Sequence, residues 1–318
     1  EPGGNRLRFK KIYGKALAQD SLRGPLGEPG LGIEPGHYLR EIDGRPVDAK
    51  VHPGSLLLNK AGRVVTLTVN DRPSLEGARR VRVRPMASEA DLRYQEWVAE
   101  NRRKVDLLSG GRIAYIHVPN TSRLGQIEFY RGYHGQRDKE AVLMDERFNL
   151  GGFPQPMILP ALSLRAYTVS TYRRWGMESE MLSMNGPRAM LINDYAGSGG
   201  DLLAWMFKDD AMGPLIGTRT LGALVGITGW CTLMDGGQVA APGHARYDPR
   251  TGEQIAENKG VAPDVEVDAR PDLLAKGEDP QLEKGVALLL EELERNPRRL
   301  AEPRLPPTRA TQVPGEPR

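Results

Sequence analysis

Three short apolar runs constrain this chain more than any other feature: RIAYIHVP at 112–119, EAVLMDER at 140–147 and RAMLIND at 188–194. A strand with one wet face alternates apolar and polar residues. The run at 140–147 does not alternate, and the one at 188–194 reads the same way, as strands buried on both faces do. Helical stretches separate and follow them: GQIEFYRGYHGQ, FPQPMILPALSL and DLLAWMFKDD. Strand alternating with helix predicts an α/β layer built on a mostly parallel sheet. Further on, QLEKGVALLLEELERN places Leu282, Val286, Leu289, Leu290 and Leu293 on one helical face, a clean amphipathic pattern.

The first part of the chain reads differently. RVVTLTVN alternates, with Val65, Leu67 and Val69 on one face, and RRVRVRPM alternates again. Before them, Asp43-Gly44 lies between the apolar residues of HYLREIDGRPV, a strong hairpin signal. A short helix is expected at SLLLNKA. From Ser88 the character changes. Ser88-x-x-Asp91 is a capping signal, Leu92, Trp97 and Val98 recur at helical spacing, and Gly110-Gly111 ends the helix. The expected organisation is a small β-rich domain over 1–87, an α/β domain with a leading helix over 88–298, and a Pro-rich disordered tail over 299–318.

Composition excludes several classes. The 318 residues fit about two domains. A net charge of +3, with no dense Lys/Arg run interleaved with aromatics, argues against nucleic acid as a partner. No stretch approaches the length of a membrane span, so no membrane partner is expected. The one cysteine, Cys231, forms no disulfide within the chain, excludes Cys₄ and Cys₂His₂ zinc sites, and fits a reducing compartment. The opening EPGGNRLRFKKIYG has neither Met nor a signal-peptide core, so a piece of a longer protein is expected.

One segment carries chemistry. In NDYAGSGGDLLAWMF a buried strand ends, a small-residue turn presents Ser198, and a helix begins at about Asp201. This is the layout of a nucleophile elbow, with helix N–H groups able to favour a developing negative charge. The strict Gly-x-Ser-x-Gly pattern is not met, because Ala196 takes the first position. The same pattern also fits a Gly/Ser-rich connection in which Ser198 caps a helix. A second turn, DERFNLGGFPQP, places Gly151-Gly152 after another buried strand. The Gly152 and Gly199 N–H groups would make a plausible pair of oxyanion donors; a turn without a ligand fits as well. The base that a serine needs is not visible. His37, His52, His117, His134 and His244 all read as structural or surface residues, and Lys208 sits on a helix end facing solvent. Asp145 and Glu146 point to opposite strand faces and read as structural, with Arg147 a partner for one of them. Glu257, on its own, reads as a solvated loop carboxylate.

The segments DERFNLGG, NDYAGSGGDLLAW, GPLIGTRTLGALVGIT and ENKGVAPDVEVDARPDLLAKGEDPQLEKGVALLLEEL resemble the C-terminal part of tricorn core proteases, which are serine peptidases. EPGHYLREIDGRPV, VTLTVNDRPSLEGAR and SGGRIAYIHVPN extend the resemblance to roughly residues 10–297. It implies a PDZ-like domain followed by a spiral, crotonase/ClpP-like α/β catalytic domain. It implies Ser198 as nucleophile, Gly199 and Gly152 as oxyanion donors, and Glu257 as the acid that orients the catalytic histidine through a hydroxyl. That histidine belongs to a small domain preceding the PDZ domain and absent from this chain. The resemblance further implies peptide substrates, a cytoplasmic setting, a homo-oligomer, and acyl transfer with no metal or organic cofactor. The chain departs from the family at Leu150, where a glycine is usual, and at Lys259, where an aromatic residue or histidine stands. AYTVSTYRRWG offers no match for the acid that selects basic side chains, so that specificity is not carried over. Two rival readings remain: a fragment that only binds peptides through its PDZ-like domain, and, ranked last, a crotonase-fold thioester enzyme.

Overall fold

Pairing explains why some apolar runs alternate and others do not. The computed structural model describes residues 5–14, 23–48, 50, 52–153, 158–164, 168–172, 176–179, 184 and 186–297. The chain divides into two compact units, Glu1–Asn101 and Arg102–Arg318. The first holds strands β1 (Leu7–Arg8), β2 (Tyr38–Ile42), β3 (Arg45–Pro46), β4 (Val65–Asn70) and β5 (Arg79–Val83). Every pairing is antiparallel, in the order β1-β2-β4-β5 with β3 paired to β2. Asp43 and Gly44, at φ 51° and 73°, close the two-residue loop between Ile42 and Arg45, and the strand twist favours positive φ at both. Val65, Leu67 and Val69 lie in one buried cluster with Val81, Val83, Leu39 and Ile42. The expected helix at SLLLNKA is instead a 3₁₀ turn over Pro53–Leu57, entered through His52, whose Nδ1 accepts the Gly54 N–H at 3.1 Å. Gly54 and Ser55 are poor helix formers, which keeps the turn short.

Helix α1 (Ala90–Leu108) starts where the Ser88 hydroxyl accepts the Ala90 N–H at 3.1 Å. It stops at Gly110 and Gly111, with φ 59° and 79°. The division between the two units falls inside this helix. The second unit then runs β6 (Ile113–His117), α2 (Arg123–His134), β7 (Ala141–Asp145), α3 (Ile158–Ser163), β8 (Val169–Tyr172), β9 (Gly176–Ser179), β10 (Arg188–Ile192), α4 (Gly199–Asp209), β11 (Leu215–Gly217), β12 (Gly226–Thr232), β13 (Gln238–His244), β14 (Val265–Glu266), α5 (Pro271–Leu274) and α6 (Pro280–Arg295).

Five strands form one all-parallel sheet in the order β14-β11-β10-β7-β6. On one face Phe129 and Tyr133 of α2 and Leu202, Leu203 and Phe207 of α4 share a core with Ile116, Met144, Met190 and Ile192. The other face belongs to α6. Its Gly285 lies so close to the sheet that an added Cβ would stand 2.8 Å from Leu143 and 3.2 Å from Leu191. Helices on both faces leave no wet side, which is why β6 and β7 are buried at every position. Strands β12 and β13 form a separate two-stranded antiparallel sheet. Helix α4 begins at Gly199, two residues before the expected start. The tail expected over 299–318 and residues 154–157 of the FPQPMILPALSL stretch lie outside the described residues. Among the described residues, no helix is long and apolar enough to cross a membrane.

A buried charge cluster ties the sheet to α6. Arg147 meets Asp145 at 2.7 Å and Asp279 at 2.9 Å, while the Tyr115 hydroxyl donates to Asp145 at 2.7 Å. Removing one partner of such a cluster strands the other charges away from water. Arg147→Ala is therefore expected to cost about 3–5 kcal/mol in a denaturant titration, whereas Arg295→Ala, at an exposed pair, should change stability by less than about 0.5 kcal/mol. His117, on β6, supplies a pH test. Burial drives its pKa down to about 4. The unfolded chain binds that proton from about pH 6.5 downward, so stability is full above about pH 6.5 and falls steadily towards pH 4. His117→Gln is expected to flatten the slope of unfolding free energy between pH 4 and 6.5; an unchanged slope would assign it to other groups.

Candidate active site

The loops leaving the C-terminal ends of β6, β7, β10 and β11 meet at one edge of the parallel sheet, the edge where α/β folds place their ligands. After β10, the turn Asn193–Gly197 carries the chain to Ser198, whose φ of 55° and ψ of −116° hold it outside the regions favoured by non-glycine residues. Backbone strain of this kind persists only where the surroundings over-determine it. They do so here. The Gly197 N–H donates to the Asn149 carbonyl at 2.9 Å, and the Ser198 N–H donates to Asp201 Oδ2 at 2.9 Å.

After β7, Asn149 turns the chain by accepting the Gly151 N–H on Oδ1 at 2.9 Å. Gly151 and Gly152 follow at φ 89° and 123°. Their lack of side chains is a spatial necessity. A Cβ on Gly151 would stand 2.6 Å from both Ser198 Cβ and the Gly199 nitrogen, and one on Gly199 would stand 2.7 Å from the Gly152 carbonyl oxygen. Thr121, from the loop after β6, braces this turn. Its N–H donates to the Gly151 carbonyl at 3.0 Å and its hydroxyl to the Gly152 carbonyl at 3.1 Å. Leu150, the departure noted above, is 75% exposed and does not line the cleft.

Accounting for the N–H groups around Ser198 singles out two. Those of Gly151, Gly197, Ser198, Gly200 and Leu202 all have protein acceptors. Among the described residues, the N–H groups of Gly152 and Gly199 have none. Both glycines line the same cleft of about 200 Å³ as Ser198, with Leu224, His244 and Arg246 also in its walls. A hydroxyl beside two unengaged N–H groups is an arrangement able to take a carbonyl carbon and hold its oxygen.

Asp201 organises the site, a role that its position in α4 did not reveal in the sequence. Its buried carboxylate accepts four hydrogen bonds: from the Thr220 hydroxyl at 2.6 Å, Gly222 N–H at 2.8 Å, and Ser198 and Ala223 N–H at 2.9 Å. It thus locks the serine turn to the segment after β11. The Ser198-x-x-Asp201 spacing is itself a capping-box signal, so the clue was present. Glu257 grips the same segment further along. Its Oε2 accepts the Leu224 and Val225 N–H groups at 2.6 and 2.7 Å, while among the described residues its Oε1 accepts from no protein donor. The structure thus brings Ser198, Gly199 and Gly152 into one cleft, whereas Glu257 does not line it and is bonded to the backbone of Leu224, which does. Glu146, also fully buried, has its pKa pushed well above the usual carboxylate range by desolvation and then by the neighbouring Asp201 and Asp145 carboxylates.

Four histidines occupy bland positions. His37 and His52 accept local backbone N–H groups, His117 is buried in β6, and His134 stacks on Tyr130 at 5.6 Å. The fifth, His244, is exposed, as expected, yet it also borders the cleft. Antiparallel pairing of β12 with β13 sets His244 opposite Gly226, and the imidazole lies over Gly226 in the wall of the Ser198 cleft.

Residues 112–267 match Peptidase family S41, and residues 2–88 match the Tricorn protease PDZ domain. The second compact unit thus carries the match to a peptidase family. Tricorn protease homolog 1 of Streptomyces coelicolor is 35% identical over 294 residues, covering 91% of this chain. The Putative Tricorn-like protease C-terminal subunit of Sulfurisphaera tokodaii is 35% identical over 291 residues, covering 90% of this chain. The solved structure of the tricorn protease superposes with a TM-score of 0.83 at 33% identity, over 92% of this chain and 28% of that one. Over 90% or more of its length the chain is similar to the tricorn proteases. It spans 27% and 33% of the two relatives' lengths.

The Asp201 carboxylate gives a direct test. Asp201→Asn puts an amide N–H₂ where an N–H or O–H already points. Stability is expected to fall by about 2–3 kcal/mol in a denaturant titration, the scale of lost charge-assisted hydrogen bonds. Asp194→Asn, at an exposed neighbour, is expected to leave stability unchanged.

Proposed function

We propose that this chain is the catalytic C-terminal part of a serine peptidase that hydrolyses peptides by acyl transfer. The observation that carries the reading is the pair of unengaged N–H groups, Gly152 and Gly199, beside the strained Ser198 in one cleft. Ser198 Oγ attacks the peptide carbonyl, the two N–H groups hold the oxyanion, and the acyl-enzyme is then hydrolysed. A histidine from another part of the protein is the base and acid. Glu257 supports this role because one of its oxygens is fixed by Leu224 and Val225 while the other stays open to a hydroxyl from outside the chain. Among the described residues His244 makes no hydrogen bond with Glu257 or with any other carboxylate, which supports a base from elsewhere. A relative called a C-terminal subunit supports action together with a second polypeptide segment.

The reading divides the chain into a PDZ-like peptide-binding domain over 1–87, the catalytic domain over 88–298 and a tail over 299–318. It places the protein in the cytoplasm, consistent with a lone exposed cysteine. It includes a homo-oligomer, supported by the apolar side chains of Ile227, Trp230, Leu233, Met234 and Val239 exposed on and around the β12–β13 hairpin.

Two measurements decide. Ser198→Ala in the full-length protein is expected to lower kcat for peptide hydrolysis by about a thousandfold or more with an unchanged melting temperature. Retention of more than about a tenth of wild-type kcat would sink the assignment. The second compares this chain alone with the full-length protein on one fluorogenic peptide. The chain alone should retain only about 10³–10⁴ over water, the level left by oxyanion donors and binding. Equal kcat/KM values, abolished by His244→Gln, would place the base inside the chain.

A further inference from the structure

The walls of the Ser198 cleft are chemically one-sided. Among the described residues its ionisable side chains are His244 and Arg246, and no carboxylate lines it. Arg246 is half-buried. Other arginines around it are engaged: Arg250 pairs with Asp209 at 2.6 Å and Asp248 at 2.8 Å, and Arg219 donates to the Lys259 carbonyl at 3.1 Å. Among the described residues, the Arg246 guanidinium meets no carboxylate and no hydrogen-bond acceptor. The N-terminus of the eleven-residue helix α4 opens on the same cleft at Gly199 and adds partial positive charge there.

A guanidinium held in a cleft wall with none of its donors engaged is suited to a planar, two-oxygen anion. The cleft's volume of about 200 Å³ is that of a handful of water molecules at about 30 Å³ each, enough for one short side chain or a chain end. We infer that this cleft takes a substrate carboxylate within one residue of the scissile carbonyl, with Arg246 as the specificity-determining residue and His244 alongside it. This inference rests on the peptidase reading. The carboxylate has two chemical sources, an aspartate or glutamate side chain or the terminal carboxylate of a peptide. A lysine or arginine in the same place would face Arg246 across the cleft, so basic neighbours of the scissile bond are disfavoured.

The test uses the full-length protein as wild type, Arg246→Gln and Arg246→Glu. One peptide series carries Asp, Asn or Lys on either side of the scissile bond. A second carries a free or an amidated C-terminus one residue beyond it. Because each result is a ratio within one variant, partial loss of folded protein cancels. In the wild type the kcat/KM ratio of Asp to Asn, or of free to amidated terminus, is expected to be about tenfold. It should fall to about one in Arg246→Gln and below one in Arg246→Glu, where Lys peptides become preferred. The series that responds to Arg246 identifies the carboxylate's source. A wild-type ratio near one, or a ratio unchanged by Arg246→Gln, overturns the inference while leaving the peptidase reading intact. If no peptide is cleaved in a Ser198-dependent way, the peptidase reading fails. Fluorescence anisotropy of the same peptides on the Ser198→Ala protein then decides the inference by itself. A carboxylate preference removed by Arg246→Gln upholds it, and equal binding overturns it.

Discussion

A single buried carboxylate holds the candidate site together. Asp201 receives one hydroxyl and three backbone N–H groups, drawn from the serine turn and from the segment after β11. A carboxylate has two oxygens with about four acceptor positions, and here each oxygen takes two donors. Fully satisfied in this way, a buried charge fixes the geometry around it; left partly satisfied, it would weaken the fold. Two segments with no sequence proximity are thereby held in register, and Ser198 stays in a conformation it would not adopt alone.

The glycines complete what Asp201 begins. Gly151 and Gly199 stand back to back with no room for a side chain between them and the serine turn. Close approach of two backbones lets two N–H groups border one small cleft without protein acceptors. These N–H groups stand at the C-terminal edge of a parallel sheet, between loops that the rigid strands hold in place. Glu257 works in the same manner from the other side, fixing Leu224 and Val225 by their backbones. Desolvation and the neighbouring Asp201 and Asp145 carboxylates push the Glu146 carboxyl above its usual range.

Much of this architecture could be read from the sequence. Continuous apolar runs predicted β7 and β10 as strands buried on both faces, and the structure adds β6 to them, because helices cover the sheet on both sides. The Asp43-Gly44 turn was legible because Asp-Gly tolerates the positive φ at both positions that a type I′ two-residue hairpin requires. The Ser198 turn stood out because small residues sit between a buried strand and a helix. The helix expected at SLLLNKA was misread, since a run of leucines outweighed the poor helix formers before it. The start of α4 was placed two residues late because glycines discourage a helix assignment, although here close packing requires them.

What the sequence determined by itself is local and periodic: strand against helix, the hairpin turn, the amphipathic face of α6, and the strand-to-helix turn bearing Ser198. These depend on neighbours a few residues apart, whose spacing is fixed by backbone geometry. Only the tertiary structure decided the hydrogen-bond partners of Asp201 and Glu257 and the placement of His244 and Arg246 in one cleft wall. The partners of Asp201 reach to Ala223 and those of Glu257 back to Leu224, across turns whose path no spacing rule records. His244 reaches the cleft because β13 pairs with β12 in a register that sets it opposite Gly226. Long-range register follows from how many separate segments pack at once, and a linear pattern does not carry that information.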